Sequence, residues 1–352
     1  MSITEKEIQK TVSNCIEACL NIHDNPVENG NYLYDTIQKR LFNPKLSNYY
    51  LKSFGIIPQK LPGFLAALFF KINHLKYKPI LLPDFDIPSD IIDLGPALNT
   101  RGVQIKFYDF TNMRVLCVGI NDEAALKGTK IEADIYSRYD KYSVPKLIER
   151  ISPSIYVREL LEGKRVKKYN LHSFRSIIDD LVEIYKSESI QQKKYNNYLA
   201  ELKLKVKDDI CAKSLNKLDA IVLKEDAEIL LTRVHGDFAV KNIISCKHRL
   251  YLIDWERSSK KSMFYDIGNF IFKYSSTDMN IFQYMLWEDK TMNHFIQRIE
   301  MELNISICDK RLGLYALFLF ERLAFEKELY INNIQRYKTF LKIWNKHIEK
   351  VL

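Results

Sequence analysis

Residues 230–258 read LLTRVHGDFAVKNIISCKHRLYLIDWERS, and the polar positions in this stretch set the expectation for the whole chain. Two short apolar runs, Asn242-Ile243-Ile244 and Leu250-Tyr251-Leu252-Ile253, flank the polar Ser245-Cys246-Lys247-His248-Arg249, the pattern of a β-hairpin. Such a hairpin puts Asp237 and Asn242 in the loop that enters its first strand, and Asp254 just past the end of its second. Three oxygen-bearing side chains are thereby expected at one end of a small sheet. One carboxylate there can orient a hydroxyl. Asn242 and Asp254 offer the hard oxygens that Mg²⁺ takes when it carries nucleotide phosphates.

Two segments of the stretch also carry a resemblance. HGDFAVKN (residues 235–242) and LIDWE (residues 252–256) are similar to the H-G-D-x-x-x-x-N catalytic loop and the I-D-[WF]-E metal segment of the aminoglycoside phosphotransferase and choline kinase branch of the protein-kinase-like superfamily. Tyr265-Asp266-Ile267-Gly268-Asn269-Phe270 follows where that family carries a D-[LI]-[AG] element. The resemblance implies an α+β, protein-kinase-like two-lobe fold, with a small β-rich lobe and a large helical one. It implies ATP and Mg²⁺ as cofactors and a hydroxylated small molecule (sugar, aminoglycoside or amino alcohol) as acceptor. Asp237 is then the catalytic carboxylate, Asn242 and Asp254 are metal ligands, Asp266 braces the catalytic loop and His235 supports it through hydrogen bonds. Lys241 either touches a phosphate or is solvated. A bulkier acceptor, or a nucleotide-binding scaffold without activity, stays open.

Working outward, residues 1–94 read as a helical N-terminal extension. Ile8, Val12, Cys15, Ile16 and Cys19 recur at helical spacing, Tyr32 to Leu41 continues in the same style, and Pro79, Pro83 and Pro88 mark a linker. Residues 95–162 change to strand texture. Val103–Phe110 and Met113–Ile120 read as a hairpin turned by Thr111-Asn112, then come a helix over Lys130–Tyr139 and strands at Pro145–Ile148 and Ile155–Leu161. That is the order of a kinase small lobe and hinge, which would set an adenine against the backbone near Val157, Glu159 and Leu160. Residues 163–352 read as helical apart from the motif hairpin, closing on Tyr337, Phe340, Leu341, Trp344 and Ile348 at helical spacing.

One element of the family pattern is missing. The third strand should carry a lysine for the α and β phosphates, and Cys117 occupies that place in Arg114-Val115-Leu116-Cys117-Val118. A two-residue turn at Thr111-Asn112 sets Lys106 directly opposite Cys117, and directly opposed residues project from one face. Lys106 is thus the candidate replacement, as in the with-no-lysine protein kinases, or else a solvent-facing strand lysine. Glu132 on the following helix is its expected partner, with Asp134 in competition. The glycine-rich loop is reduced to Gly95 and Gly102.

Composition narrows the classes. A chain of 352 residues with 47% hydrophobic content, 11 Gly and 10 Pro can build a large helix-rich core and divides into two or three units. Six cysteines without a C-x-x-C pair suit the reducing cytoplasm, and the N-terminal MSITEKEIQK has no export signature. LPGFLAALFF, at residues 61–70, is shorter than the ~20 residues a membrane span needs. It reads as a buried helix, or as a peripheral membrane contact through residues 61–71 with their flanking lysines. A net charge of +9 is spread among 53 basic and 44 acidic residues without a nucleic-acid motif. Nucleic acid is not an expected partner. Lys164–Lys168 and Arg257–Lys261 are the two basic clusters that would line a cleft for anions.

Overall fold

The computed structural model describes residues 31–35, 40–42, 77–81, 91–93, 104–119, 123–166, 171–207, 209–224, 227–275, 277–330 and 334–352. The chain is α+β, with a β-rich N-terminal unit followed by a mainly helical one. The first unit includes the described residues up to Asp140 with Pro145–Lys164, and the second is Lys141–Val144 with Arg165–Leu352. The Ile8–Cys19 periodicity, residues 61–71, Gly95 and Gly102 lie outside the described residues.

The first unit is one eight-stranded antiparallel sheet. Its strands are β1 (Asn31–Asp35), β2 (Arg40–Phe42), β3 (Tyr77–Leu81), β4 (Ile91–Asp93), β5 (Gln104–Asp109), β6 (Arg114–Gly119), β7 (Leu147–Ser152) and β8 (Ile155–Glu159), in the order β3-β1-β2-β4-β5-β6-β8-β7. Four of these strands fall in the span expected to be a helical extension, which corrects that expectation. Tyr32 to Leu41, read at helical spacing, contributes strands instead, and Ile91–Asp93 pairs with Tyr108–Lys106 of β5. Pro79 does not end the structure as a linker residue would. It sits opposite Leu33 in β3, an edge strand, where a missing N–H costs no ladder bond on the open side.

Helix α1 (Glu123–Arg138) packs on this sheet through Ala125, Thr129, Glu132, Ala133 and Tyr136, all buried at helical spacing. The contact is close: a Cβ on Gly119 of β6 would lie 2.4 Å from the Thr129 hydroxyl. Only a residue without a side chain lets helix and sheet approach this far.

The β5–β6 register is the expected one, with Lys106 opposite Cys117. The connection is wider than two residues, because pairing stops at Asp109–Arg114 and Phe110–Met113 form the bend. The Asp109 carboxylate holds it, accepting the Asn112 backbone N–H (2.9 Å), the Asn112 side-chain amide (2.8 Å) and the Arg114 Nε–H (2.9 Å). Widening the turn symmetrically leaves the register unchanged.

After β9 (Lys164–Arg165), at the boundary of the units, the second unit is built on α2 (Leu171–Ser187), whose Phe174, Ile177, Ile178, Leu181, Val182 and Tyr185 are buried. It contains a second small sheet that the sequence reading passed over. Here β10 (Gln191–Lys194), β11 (Glu228–Val234) and, beyond the motif hairpin β12 (Ile243–Cys246) and β13 (Arg249–Leu252), β14 (Ser259–Ser262) pair with β11 in the centre. Its central strand EILLTRV is apolar on both faces and was hidden among helical patterns. Helices α3 (Tyr195–Val206), α4 (Ala212–Ile221), α5 (Tyr265–Ser275), α6 (Met279–Gln283), α7 (Lys290–Leu303), α8 (Arg311–Leu329) and α9 (Ile334–Val351) complete the unit. Trp344 and Ile348 of α9 are fully buried, as the spacing predicts.

Candidate active site

Strand β11 ends at Val234 and delivers His235, Gly236 and Asp237 into the interior, where they are buried. Gly236 has φ +82°, and a Cβ there would lie 2.2 Å from the Arg257 carbonyl oxygen. Both conformation and space demand glycine. Asp266, in the first turn of α5, accepts the backbone N–H groups of His235 (2.8 Å) and Gly236 (2.9 Å) and the Tyr185 hydroxyl (2.5 Å). The loop is thus fixed by its backbone.

His235 is locked in one tautomer. Its Nε2 lies 2.9 Å from the Ile253 carbonyl, which can only accept, and its Nδ1 receives the Asp237 N–H at 3.1 Å. The ring is therefore neutral with the proton on Nε2. Burial lowers its pKa against the pull of Asp266, as that neutral form requires. It packs 4.6 Å from the Trp255 ring, spanning the two motif segments.

Asn242 closes a short 3₁₀ turn, Val240–Asn242, and its side-chain amide donates to the Asp237 carbonyl (2.9 Å) and to Asp237 Oδ2 (3.0 Å). Its own backbone carbonyl accepts the Ile253 N–H at 2.9 Å. Asp254 follows at once, in the left-handed region at φ 63°, and turns the chain away from the hairpin. Asn242 and Asp254 therefore share the end of β12–β13 opposite the Lys247–His248 turn, and Asp237 bonds directly to Asn242.

Among the described residues no three His, Cys, Asp or Glu side chains cluster as a closed metal cage. The donor set does fit a nucleotide-borne Mg²⁺. With its N–H groups given to Asp237, Asn242 would offer its carbonyl oxygen and Asp254 its carboxylate, while phosphates and water would supply the remaining hard ligands.

Cations surround Asp237. Lys273 of α5 contacts Oδ1 directly, and Lys241 Nζ lies 3.0 Å from Oδ2. Burial alone would raise the Asp237 carboxyl, but Lys273, Arg257 and Lys241 outweigh it and hold the group far below the usual carboxylate range. Burial likewise pushes the Lys273 ammonium down to about 8, against the attraction of Asp237. Both partners are charged at neutral pH. Sequence reading missed Lys273, although a signal was present: Asp266, Asn269 and Lys273 form one polar stripe at helical spacing on an otherwise apolar helix. Asn269 also serves the loop, donating to the Phe238 carbonyl at 3.0 Å while Arg322 donates to its Oδ1.

The basic cluster Arg257–Lys261 does not form one positive surface. Arg257 turns to Glu326 (3.3 Å), and Lys261 is buried between the Tyr265 and Phe325 rings, 3.7 Å from each centroid. Of the other cluster, Lys164 and Arg165 are exposed, and Lys167 and Lys168 lie outside the described residues.

In the N-terminal unit, Lys106 projects from the sheet face that carries Gln104, Cys117 and Tyr156, the last opposite Cys117 on β8. Glu132 of α1 reaches the same face. It is buried and accepts the hydroxyls of Tyr136 (2.6 Å) and Tyr156 (2.7 Å) and the Gln104 amide (2.8 Å). Asp134, its competitor, pairs instead with Arg150 at 2.5 Å and is partly exposed. Burial pushes the Cys117 thiol up, opposed by Arg158 and Lys106. Thus Lys106 and Glu132 both act on Cys117 from one face of the sheet. The residues expected to form a hinge are engaged within the sheet: Val157 pairs with Leu116 and Glu149, the Glu159 N–H donates to the Lys146 carbonyl (3.0 Å), and the Leu160 N–H to the Met113 carbonyl (2.9 Å).

No protein-family model matches the chain, and no curated protein matches it in sequence. Solved structures similar to it include a thermostable mutant of aminoglycoside phosphotransferase APH(4)-Ia, at 13% identity and TM-score 0.45 over 71% of this chain and 92% of that one. A Plasmodium vivax ethanolamine kinase is 14% identical at TM-score 0.42, covering 71% of this chain and 79% of its own. A choline/ethanolamine kinase family protein from Mesorhizobium loti is 10% identical at TM-score 0.41, over 73% and 90%.

Proposed function

We propose that this chain is an ATP-dependent phosphotransferase of the protein-kinase-like fold that moves the γ-phosphoryl group to a hydroxyl of a small molecule. One observation carries the reading: Asp237 is hydrogen-bonded to Asn242, and Asn242 shares one end of a hairpin with Asp254. A carboxylate held far below its usual pKa is a poor base toward a resting hydroxyl. Asp237 therefore orients the acceptor oxygen by accepting its hydrogen bond, and takes the proton late, as the new O–P bond forms and the bond to the departing nucleoside diphosphate breaks. Asn242 and Asp254 would hold Mg²⁺, which when bound neutralises charge on the phosphate oxygens. Lys106 and Glu132 are the nucleotide-side pair of the N-terminal unit. Because the amides of Glu159 and Leu160 are spent in the sheet, the nucleobase would meet the chain just beyond them.

The acceptor class of sugars, aminoglycosides and amino alcohols comes from the motif resemblance. Among the described residues Cys117, Cys211, Cys246 and Cys308 form no disulfide. No helix among the described residues is long and apolar enough to cross a membrane. A nucleotide-binding scaffold without turnover is the second reading, favoured by Cys117 and by the reduced glycine loop of the sequence. The deciding experiment is thermal stabilisation by Mg-ATP, followed by ADP release against a panel of those acceptors. Stabilisation with acceptor-dependent ADP release supports the enzyme, and stabilisation without release supports the scaffold.

A further inference from the structure

Arg158 is a buried charged side chain that has no ion-pair partner among the described residues. It lies on β8 two residues after Tyr156, so it shares the sheet face of Tyr156, Cys117 and Lys106. It is only 4% exposed. Its protein acceptor is the carbonyl of its own neighbour, Glu159, which receives one N–H at 2.9 Å. Its Nε is buried with no acceptor at all. Among the described residues no carboxylate pairs with it. Glu132, on the same face, is turned to two tyrosine hydroxyls and an amide, and the Glu159 carboxylate accepts the Lys146 N–H at 2.7 Å.

A guanidinium is always charged and offers five donors, and burying it without a counter-charge is costly. Proteins neutralise buried charge with partners or with ligands. The rest of this face supplies no partner, and adds Lys106 as a second cation near Cys117. A planar fork of N–H groups matches phosphate oxygens, and an ammonium on the same face adds a second positive charge.

We infer that Arg158, with Lys106, forms an anion-binding site on the β5–β6–β8 face that takes the phosphate groups of the nucleotide. The site replaces one lysine at the position of Cys117 on β6 by two cations on the strands that flank it, β5 and β8. The identity of the anion as a nucleotide rests on the proposed kinase reading. The anion site itself rests on the buried guanidinium.

The test uses the full chain with sodium tripolyphosphate, Mg-ATP and adenosine as probes, read by thermal unfolding and calorimetric affinity. Tripolyphosphate and Mg-ATP should raise the wild-type Tm. Arg158→Met should remove the tripolyphosphate response and weaken Mg-ATP at least tenfold, while leaving the ligand-free Tm equal or higher and adenosine affinity unchanged. Arg158→Lys, which keeps a charge, should retain part of both responses. Equal tripolyphosphate responses in wild type and Arg158→Met would overturn the inference. So would a ligand-free Arg158→Met protein that unfolds well below wild type, since that marks a structural arginine. Should tripolyphosphate behave as expected while Mg-ATP binds no better than tripolyphosphate, the anion site stands and the ATP reading falls.

Discussion

Lys106 and Cys117 occupy the same rung of the β5–β6 hairpin, and Cys117 is fully buried. Residues on one rung point to one side of the sheet, so a cation moved between them stays on the same face. Lys106→Met should therefore raise the KM for ATP or abolish turnover. The double variant Lys106→Met/Cys117→Lys should recover part of it. Steady-state kinetics of the pair check this, and unchanged kinetics in the single variant would remove Lys106 from the nucleotide site.

Asp237→Asn keeps the hydrogen-bond geometry to Asn242 but loses the negative charge that orients the acceptor. Turnover should fall by about 10²–10⁴-fold. Nucleotide affinity should change little, because Asn242 and Asp254 remain. Full activity in this variant would end the phosphotransferase assignment.

Lys273→Met takes away the cation in direct contact with Asp237. With less positive charge to oppose burial, the Asp237 pKa should rise toward the ordinary carboxylate range. The ionised form is the working one, so the acid limb of the kcat/KM profile should move to higher pH. A profile whose acid limb stays in place would show that Arg257 and Lys241 suffice.

Gly236→Ala forces a Cβ to within 2.2 Å of the Arg257 carbonyl in a backbone conformation at φ +82°. Strain of this kind costs about 1–3 kcal/mol. Denaturant unfolding should show that loss, together with reduced kcat from a displaced Asp237.

Lys261 is buried, its ammonium has no hydrogen-bond acceptor, and burial lowers its pKa to about 7 despite the neighbouring Glu321. The unfolded chain, with the ordinary lysine value near 10.4, binds the proton more tightly than the folded chain. Between pH 7 and 10.4 the unfolded state thus carries more protons, and stability should rise with pH across that window. Lys261→Met should flatten this rise, and at pH 7 should be neutral or stabilising, since Glu321 keeps its bonds from Ser262 (2.7 and 2.6 Å) and Tyr198 (2.9 Å). Chemical unfolding at several pH values measures both effects.

Local signals were legible wherever one short stretch decides them. The HGDFAVKN loop, the hairpin that follows it, the β5–β6 register and the C-terminal half of α1 all follow from turn residues and periodicity a few residues apart, whereas α1 begins at Glu123, seven residues before the expected Lys130. The strands between Asn31 and Asp93 were not legible. Such short runs carry little pattern, and what makes them strands is pairing with partners distant in sequence, up to Tyr108.

By itself, then, the sequence determined the convergence of Asp237, Asn242 and Asp254 on one hairpin end, because the covalent spacing holds them there once the hairpin forms. Tertiary structure decided the charges that reach that carboxylate from elsewhere in the chain. Lys273 lies 36 positions after Asp237 and reaches it only because Asp266 docks α5 beneath the loop. Arg158 reads as an ordinary strand residue, and only its burial without a counter-charge marks it out. Burial and charge balance depend on what packs around a residue, and no window of sequence contains that.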